Sequence, residues 1–473
     1  MNKIIKKILL CILYITTLIF IYSIFKLNIL NNLYFTLITI ISIILNILLS
    51  ILLLKKNKIL SIIILIISLL LIIFNITGTI YINHTRGYIH KITNNHKEDY
   101  YKTYQVVVLN NSYQKIDELK NKSIGFLEID NSNQENELKL KENIEIKNVD
   151  YKDISSLYMS LHNKDIDAIS IDKSYLEILK EENYKLLENT KVIYTYKVVV
   201  KDKSTKKLTI TKEDTSKDPY IIYISGTDSR TTVKAVSRSD VNIIAVVRPK
   251  DHKILLIHIP RDYYVQLSGT TGIKDKLTHA GVYGINKSIN TIEDLLDIKI
   301  NEYIKVSFAT VIKSVDLLDG IDIYSEKAFI PWTNRNCYIK QGVQHVDGTC
   351  ALAFARERKT YERGDRHRGE NQEQVLSKII EKMTNPKYLV KYNDILTQTE
   401  SSFETNISYE KITNIVKDEL STLAKWEIET YNLDGTGAML PTYSMGSMNL
   451  WVMIPDQTTI DTAKIKIKEY LNG

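Results

Sequence analysis

Three long apolar runs occupy Ile4 to Tyr81, broken only near Lys26 to Asn32 and at Lys55, Lys56 and Lys58. Each is long enough for the roughly 20 residues that a membrane-spanning helix requires. A cleaved signal peptide has one short apolar core, so three successive runs predict retained transmembrane helices, with buried core helices as the alternative. Lys3, Lys6 and Lys7 precede the first run, Lys55, Lys56 and Lys58 separate the second from the third, and only Lys26 marks the loop between first and second. The positive-inside rule then puts the N-terminus in the cytoplasm and everything beyond Asn83 outside the membrane.

A chain of 473 residues, 44% hydrophobic and 25% charged, is too long for one ordinary core. The pattern divides it into spans within 1–83, an accessory domain at 98–205 and a larger domain at 219–473. In the accessory stretch, short β-like runs at Gln105 to Leu109, Ser123 to Leu127, Ala168 to Ile171 and Val192 to Val200 alternate with helical stretches at Ile154 to His162 and Tyr175 to Asn183. This predicts a small α/β domain without a convergent catalytic set, serving as a sensor or as a spacer. The polar segment Lys201 to Asp218 reads as a linker or edge hairpin.

Beyond Pro219, Tyr220 to Ile224, Val241 to Val247 and Ile254 to Ile259 are continuous apolar runs, as expected of strands covered on both faces. Helices are predicted at Gly284 to Leu296, Phe308 to Leu318, Cys350 to Arg356 and Asn371 to Met383, the last ended by Asn385-Pro386. The tail adds a helix at Tyr409 to Leu423, strands near Trp426 to Tyr431 and Leu450 to Ile454, and a closing helix from Thr459 to Tyr470. The class is α/β, with a central mixed sheet flanked by helices.

Lysine is spread over the whole chain, but every arginine except Arg86 lies between Arg230 and Arg368. Arginine offers a planar five-donor fork that grips phosphate or carboxylate in a bidentate way; ordinary salt bridges are the bland alternative for any one of them. Asp228 and Asp240 sit in loops at strand ends, where ligands of open α/β sheets gather. Two carboxylates there can hold one Mg2+ with phosphate oxygens filling the remaining positions, although an Asp after a strand is also a common turn or cap residue. Arg230 and Arg238 flank these carboxylates, and Pro260-Arg261-Asp262 closes the third strand. Arg356 and Arg358 lie beside a helix end, and Arg368 precedes Asn371-Gln372, read as opening the next helix, whose N-terminus would favour an anion.

Other chemistries have less support. A net charge of +7 suits an anionic membrane surface or a phosphorylated substrate, but no dense basic run with interleaved aromatics points to nucleic acid. Ser225-Gly226-Thr227 lacks P-loop spacing. His279 and His345 are the histidines to weigh as acid or base against a structural role. Cys337 and Cys350 are the only pair outside the apolar runs; an extracellular position permits a bridge, and two buried thiols are the alternative.

The combination and order of SGTDSR at Ser225, SRSDVNI at Ser237, IPRDYYV at Ile259, KDKLTHAGVYG at Lys274, LLDGIDIY at Leu317, GVQHVDG at Gly342, and RER with GDRHRGENQ at Arg356 and Gly364 resemble the LytR-CpsA-Psr family of Gram-positive cell-wall enzymes. The likeness is strongest to its capsule-associated CpsA branch, which also carries three spans and an accessory domain. The resemblance implies Mg2+-assisted transfer, with Mn2+ as an alternative ion, of a glycan from a polyprenyl pyrophosphate carrier to peptidoglycan. Asp228 and Asp240 match its metal-binding aspartates. Arg238, Arg261, Arg356, Arg368 and Gln372 match its diphosphate-binding set; Lys276 and Arg358 also fall in its motifs. Arg261 is placed with Asp228 and Asp240 in the catalytic group. Thr278 and Asn371 depart from the pattern of many relatives.

A multi-pass cell-membrane protein with an extracellular catalytic domain follows, with capsule-assembly proteins as further partners. Two rivals use the same residues: a membrane-bound sensor that grips polyprenyl pyrophosphate without turnover, and a lipid pyrophosphatase in which water replaces the sugar. An apolar groove for the lipid is implied by the resemblance, and no periodicity locates it.

Overall fold

A computed structural model describes residues 3–54, 58–94, 100–181, 185–200, 217–227, 233, 236–399, 403–422 and 424–472. Nearly all of the expected linker, together with Asp228 and Arg230, lies outside the described residues. The chain forms two compact units, one of residues 1–94, 382–400 and 407–425, the other of 95–381, 401–406 and 426–473.

In the first unit, α1 (Lys3–Leu27), α2 (Asn32–Leu54) and α3 (Lys58–Asn94) are long and apolar enough to cross a membrane. Asn46 and Asn75 both donate to Thr17 Oγ1 at 2.9 Å, tying the three helices with buried amides. Such bonds help hold helices together where lipid supplies no hydrophobic drive. The third helix does not stop at residue 83. It continues for 37 residues in all, about 55 Å at the usual rise per residue, beyond the ~30 Å of a hydrocarbon core.

Its extension packs against α12 (Tyr392–Thr399) and α13 (Tyr409–Thr422), where the His90 and Tyr409 rings stack at 4.1 Å. Tyr409 also donates to the Leu27 carbonyl at 3.1 Å. These tail segments, expected in the 219–473 domain, thus group with the apolar helices.

The second unit contains two principal sheets. In the accessory region β1 (Tyr100–Leu109), β2 (Ser123–Leu127), β3 (Lys147–Tyr151), β4 (Ala168–Asp172) and β5 (Thr190–Val200) align in the order β3-β2-β4-β1-β5. Helices α4 (Asn133–Lys141), α5 (Ile154–Asn163) and α6 (Lys173–Glu181) accompany them. Asp153 caps α5 by accepting from the Ser156 amide, one of the donors a helix start leaves orphaned. Strand β3 and helix α4 escape the sequence reading because β3 is an exposed edge strand and α4 is almost wholly polar.

The larger sheet runs β14-β11-β6-β7-β8-β15, built from β6 (Tyr220–Thr227), β7 (Val241–Arg248), β8 (Lys253–His258), β11 (Glu302–Ser307), β14 (Phe403–Thr405) and β15 (Glu427–Asn432). It is mixed: β6 is antiparallel to β7 and parallel to β11, and β8 is antiparallel to β7 and parallel to β15. Alternation along the strands explains the continuous apolar runs. Ile221, Tyr223, Ile244, Val246, Leu255 and Ile257 face one way, into a core completed by α8 (Ile285–Leu296) and α14 (Gln457–Asn472). Ile224 and Ile243 face the other, toward α9 (Phe308–Leu317), α10 (Gly348–Ala355) and α11 (Asp365–Met383).

Smaller pairs complete the unit: β9 (Tyr264–Val265) with β10 (Asp275–Lys276), β12 (Ile321–Ser325) with β13 (Gly342–Val346), and β16 (Gly435–Thr442) with β17 (Gly446–Pro455). The short helix α7 (Leu277–Ala280) follows β10. Cys337 and Cys350 are bridged, with Cα atoms 5.5 Å apart. Met445, Met448 and Leu450, from β17 and the turn before it, join the core formed by α5 and α6, so the accessory sheet and the β16–β17 hairpin share apolar packing.

Candidate active site

The ends of β6, β8, β11 and β15 and the start of β7 lie along one edge of the sheet. Side chains that follow these ends form a buried ionic cluster. Arg261, three residues beyond β8, places Nη1 2.8 Å from Asp240 Oδ1 and Nε 3.6 Å from Asp262 Oδ2. Lys276 Nζ lies 3.3 Å from Asp262 Oδ1. Thr278 Oγ1 donates to Asp240 Oδ1 at 3.4 Å. Burial alone would raise the Asp262 pKa, but Arg261, Lys276 and Arg368 outweigh it and hold the carboxyl below its usual range.

Arg368 enters from α11. This corrects the expected geometry, in which Arg368 preceded a helix opening at Asn371. The helix begins at Asp365, so Arg368 stands in its first turn. The early start is polar and shows no apolar period, but an acid there suits the helix dipole. The helix comes close because residue 369 is glycine: a Cβ there would meet the His258 ring at 2.5 Å. Arg368 Nη2 lies 2.8 Å from Asp365 Oδ1, yet neither it nor Nε is in hydrogen-bonding geometry with any described residue. Burial lowers the Arg368 pKa, Asp365 opposes this, and the neighbouring Arg261 charge adds to it. Two guanidinium groups held together out of water make a site that an anion would relieve.

Against the cluster opens an apolar pocket, walled by strand residues such as Ile224 and Ile243 and by Phe308, Leu352, Val375 and Ile379 from the helices. Arg356 and Gln372 are its polar lining. The Arg356 guanidinium sits 4.6 Å from the centre of the Phe308 ring, and Gln372 Oε1 is buried without a hydrogen-bond partner among the described residues. The site therefore joins cations to a greasy slot.

Of the sequence-named residues, the structure brings together Asp240, Arg261, Lys276 and Arg368, with Arg356 and Gln372 at the adjoining pocket. Arg238 is half-buried two residues before Asp240. Arg358 is exposed and makes no ion pair with a described residue. Asp228 lies outside the described residues. His279 is buried and held by Asp275 at 2.6 Å and Ser444 at 2.9 Å, and His345 is exposed beside Asp322; neither joins the cluster.

A divalent cation would find hard oxygen donors here. Asp240 is one, and the buried Thr227 Oγ1, which has no hydrogen-bond partner among the described residues, precedes Asp228 in sequence. No three His, Cys, Asp or Glu side chains among the described residues are grouped so as to hold a metal ion by themselves. One or two carboxylates with phosphate oxygens and waters is the way Mg2+ is held, so the donor set fits it.

Several contributors were not legible in the sequence. Asp365 pairs with Arg368 three residues on, a helical spacing that was available once the helix was begun early enough. His258 is driven down to about 3 by burial and the Arg368 charge, and is neutral at physiological pH. Glu373 is pushed up to about 8 by burial, with the Asn432 amide, 2.8 Å away, acting against it. The accessory region also participates: Tyr101 O accepts from the Val236 amide at 3.2 Å, and Ser174 Oγ donates to the Val236 carbonyl at 3.3 Å. It thereby holds the backbone that leads into Arg238 and Asp240.

Comparison with known proteins agrees with the motif order. The LytR_cpsA_psr family model matches residues 183–469, more than half of the chain. The polyisoprenyl-teichoic acid–peptidoglycan teichoic acid transferase TagV of Bacillus subtilis is 31% identical over 268 residues, 55% of this chain and 66% of its own length. TagU of the same organism is 32% identical over 225 residues, covering 47% of this chain and 71% of its own. A crystal structure of B. subtilis TagV aligns with 54% of this chain and 98% of its own at 29% identity and a TM-score of 0.46. The matched segment contains every residue of the ionic cluster and the pocket, and the chain belongs to the LytR-CpsA-Psr family.

Proposed function

We propose that this protein transfers a glycopolymer from a polyprenyl pyrophosphate carrier to peptidoglycan on the outer side of the membrane, with the N-terminus in the cytoplasm and the catalytic domain extracellular. The supporting observation is the junction of a buried arginine pair with an apolar pocket. A lipid diphosphate is a molecule with those two halves. Each CH2 taken into such a pocket contributes about 0.8 kcal/mol, and the guanidinium forks grip the phosphates. The relatives named above are teichoic acid transferases; the motif likeness to the capsule-associated branch favours a capsular polysaccharide as the polymer here.

In this reading Arg238, Arg261, Arg356 and Arg368 bind the diphosphate, with Lys276 supporting Asp262 and Gln372 orienting the phosphate next to the lipid. Asp228 and Asp240 would hold Mg2+, which supplies charge neutralisation to the phosphate oxygens when bound. A peptidoglycan hydroxyl attacks the phosphorus that bears the glycan. A new P–O bond forms, the bond to the bridging oxygen breaks, and polyprenyl phosphate leaves. The arginines stabilise charge as it moves onto the bridging and equatorial oxygens, the main service a protein offers to phosphoryl transfer. The hydroxyl proton passes to a carboxylate. Asp262, held ionised by three cations, is the least suited of those nearby.

The test is the full chain in vesicles with a labelled lipid-linked glycan, Mg2+ and peptidoglycan. Label joined to peptidoglycan is the expected result. Release of free glycan phosphate whether or not acceptor is present would favour the pyrophosphatase, and tight binding without turnover would favour the sensor. Asp240→Ala should slow transfer about 100-fold or more; an unchanged rate would remove Asp240 from the reaction.

A further inference from the structure

The hairpin of β12 and β13 departs from the pattern its position calls for. Tyr324 pairs with Val343 and Asp322 with His345 across the two strands, and a bridge between Phe329 and Ile339 extends the pairing toward the tip. One face is buried as expected: Ile321, Ile323, Phe329, Ile339 and Val346 pack with Phe354, Tyr361 and Val375. The other face of such a hairpin normally carries polar residues. Here it presents Tyr324, Ile330, Trp332, Tyr338 and Val343, which are 54%, 49%, 58%, 59% and 74% exposed. Single exposed apolar residues need no explanation, but a contiguous set marks an interaction surface.

Charge identifies the partner. Lys327, Arg335, Lys340, Arg358 and Lys359 are exposed around this face, and Arg335 and Lys359 approach the Trp332 ring at 4.7 and 3.7 Å from its centre. Three of the nearby acids are engaged, Asp322 with His345, Glu326 with Arg363 and buried Glu357 with the Trp332 amide, which leaves the exposed Glu362 against five cations. Tryptophan and tyrosine beside lysine and arginine are the residues of a membrane interface, and an anionic headgroup layer attracts the cations. The bare aliphatic side chains of Ile330 and Val343 suit acyl chains better than sugar hydroxyls.

The hairpin is also coupled to the pocket. Its return strand is bridged through Cys337 to Cys350 in α10, and α10 ends with Ala355 and Arg356 on the pocket lining. We infer that the outward face of the 321–346 hairpin seats in the headgroup region of an anionic bilayer, setting the pocket beside the surface from which a lipid carrier must be drawn. The purpose of this seating rests on the lipid-carrier reading; its geometry does not.

The experiment uses the full chain in vesicles of phosphatidylcholine, with and without phosphatidylglycerol, whose acyl chains are brominated near the headgroup or near the terminal methyl. Emission from Trp332 is obtained by subtracting that of Trp332→Phe, which retains Trp426 and Trp451. Shallow bromines are expected to quench it about twofold more than deep ones, with the effect weakening when phosphatidylglycerol is omitted. Ile330→Asp, which alters an outward position, should reduce the quenching while leaving the unfolding transition in place. No quenching at either depth would overturn the inference. So would a Trp332 response seen only on adding peptidoglycan fragments, or only at high protein density, which would assign the face to glycan or to a second copy. None of these readouts requires turnover, so the docking face can fail while the transferase reading stands, or the reverse.

Discussion

Two buried charge clusters in the second unit look alike until their signs are counted. In the accessory sheet, Lys102 is held by Asp130 at 2.6 Å and Asp172 at 3.6 Å, and Tyr104 donates to Asp130 at 2.6 Å. One cation is matched by two carboxylates. Burial raises the Asp172 pKa to about 6 despite the lysine. At the edge of the larger sheet, Arg261, Lys276 and Arg368 meet Asp240, Asp262 and Asp365, with Arg356 beside them at an open pocket and guanidinium nitrogens of Arg368 unmatched. Burial of charge is therefore a poor indicator of a site. Buried guanidinium groups left short of hydrogen bonds, with an apolar pocket adjoining, are a better one.

The same substitution on both sides sharpens the contrast. Arg368→Met should lower transfer by about 1,000-fold, as loss of a transition-state arginine does, measured as labelled glycan joined to peptidoglycan per minute. Lys102→Met should instead leave Asp130 and Asp172 facing each other without a cation, at a cost of about 3–5 kcal/mol in stability. Urea unfolding in detergent would read this loss, and the folded fraction should keep far more activity than Arg368→Met. If Lys102→Met abolishes transfer in fully folded protein, the accessory cluster is part of the site and the distinction is lost.

The smallest expected effect is a pH dependence. Glu373 has its pKa raised from 4.5 to about 8, so its contribution to stability is fully present below 4.5 and is lost as pH rises toward 8. His258 is lowered from 6.5 to about 3; its contribution is present above 6.5 and is lost as pH falls. The two slopes oppose each other between 4.5 and 6.5, leaving Glu373 alone between 6.5 and 8. Glu373→Gln should flatten the decline of unfolding midpoint with pH in that upper window. An unchanged slope there would remove Glu373 as its source.

Much of the scaffold was legible because local pattern and burial agree. Ser123–Leu127 and the runs of β6, β7 and β8 read as strands from their apolar content alone. The restriction of arginine to one region led to Arg261 and Arg368. Legibility fails where burial is imposed from a distance. Glu373 is a surface-type residue on a helix until Asn432, 59 positions later, covers it, and Lys102 is one lysine among many until Asp130 and Asp172 close over it. Edge strands such as β3 lack a buried face to give them a period, and β14 is only three residues long. The lipid slot arises from side chains of separate strands and helices, so no single stretch encodes it.

The route of the chain between the two units has a practical consequence. After α11 it runs through α12 among the apolar helices, returns at β14 to pair with β11, departs again for α13 and comes back at β15. A truncation at Asn95 looks like a clean way to make a secreted enzyme. It would remove His90 and Leu27 from Tyr409 and strip α12 and α13 of the helix they lie on, far downstream of the scissors. A soluble version must repaint those two helices with polar residues, or splice them out while sparing the three residues that finish the sheet.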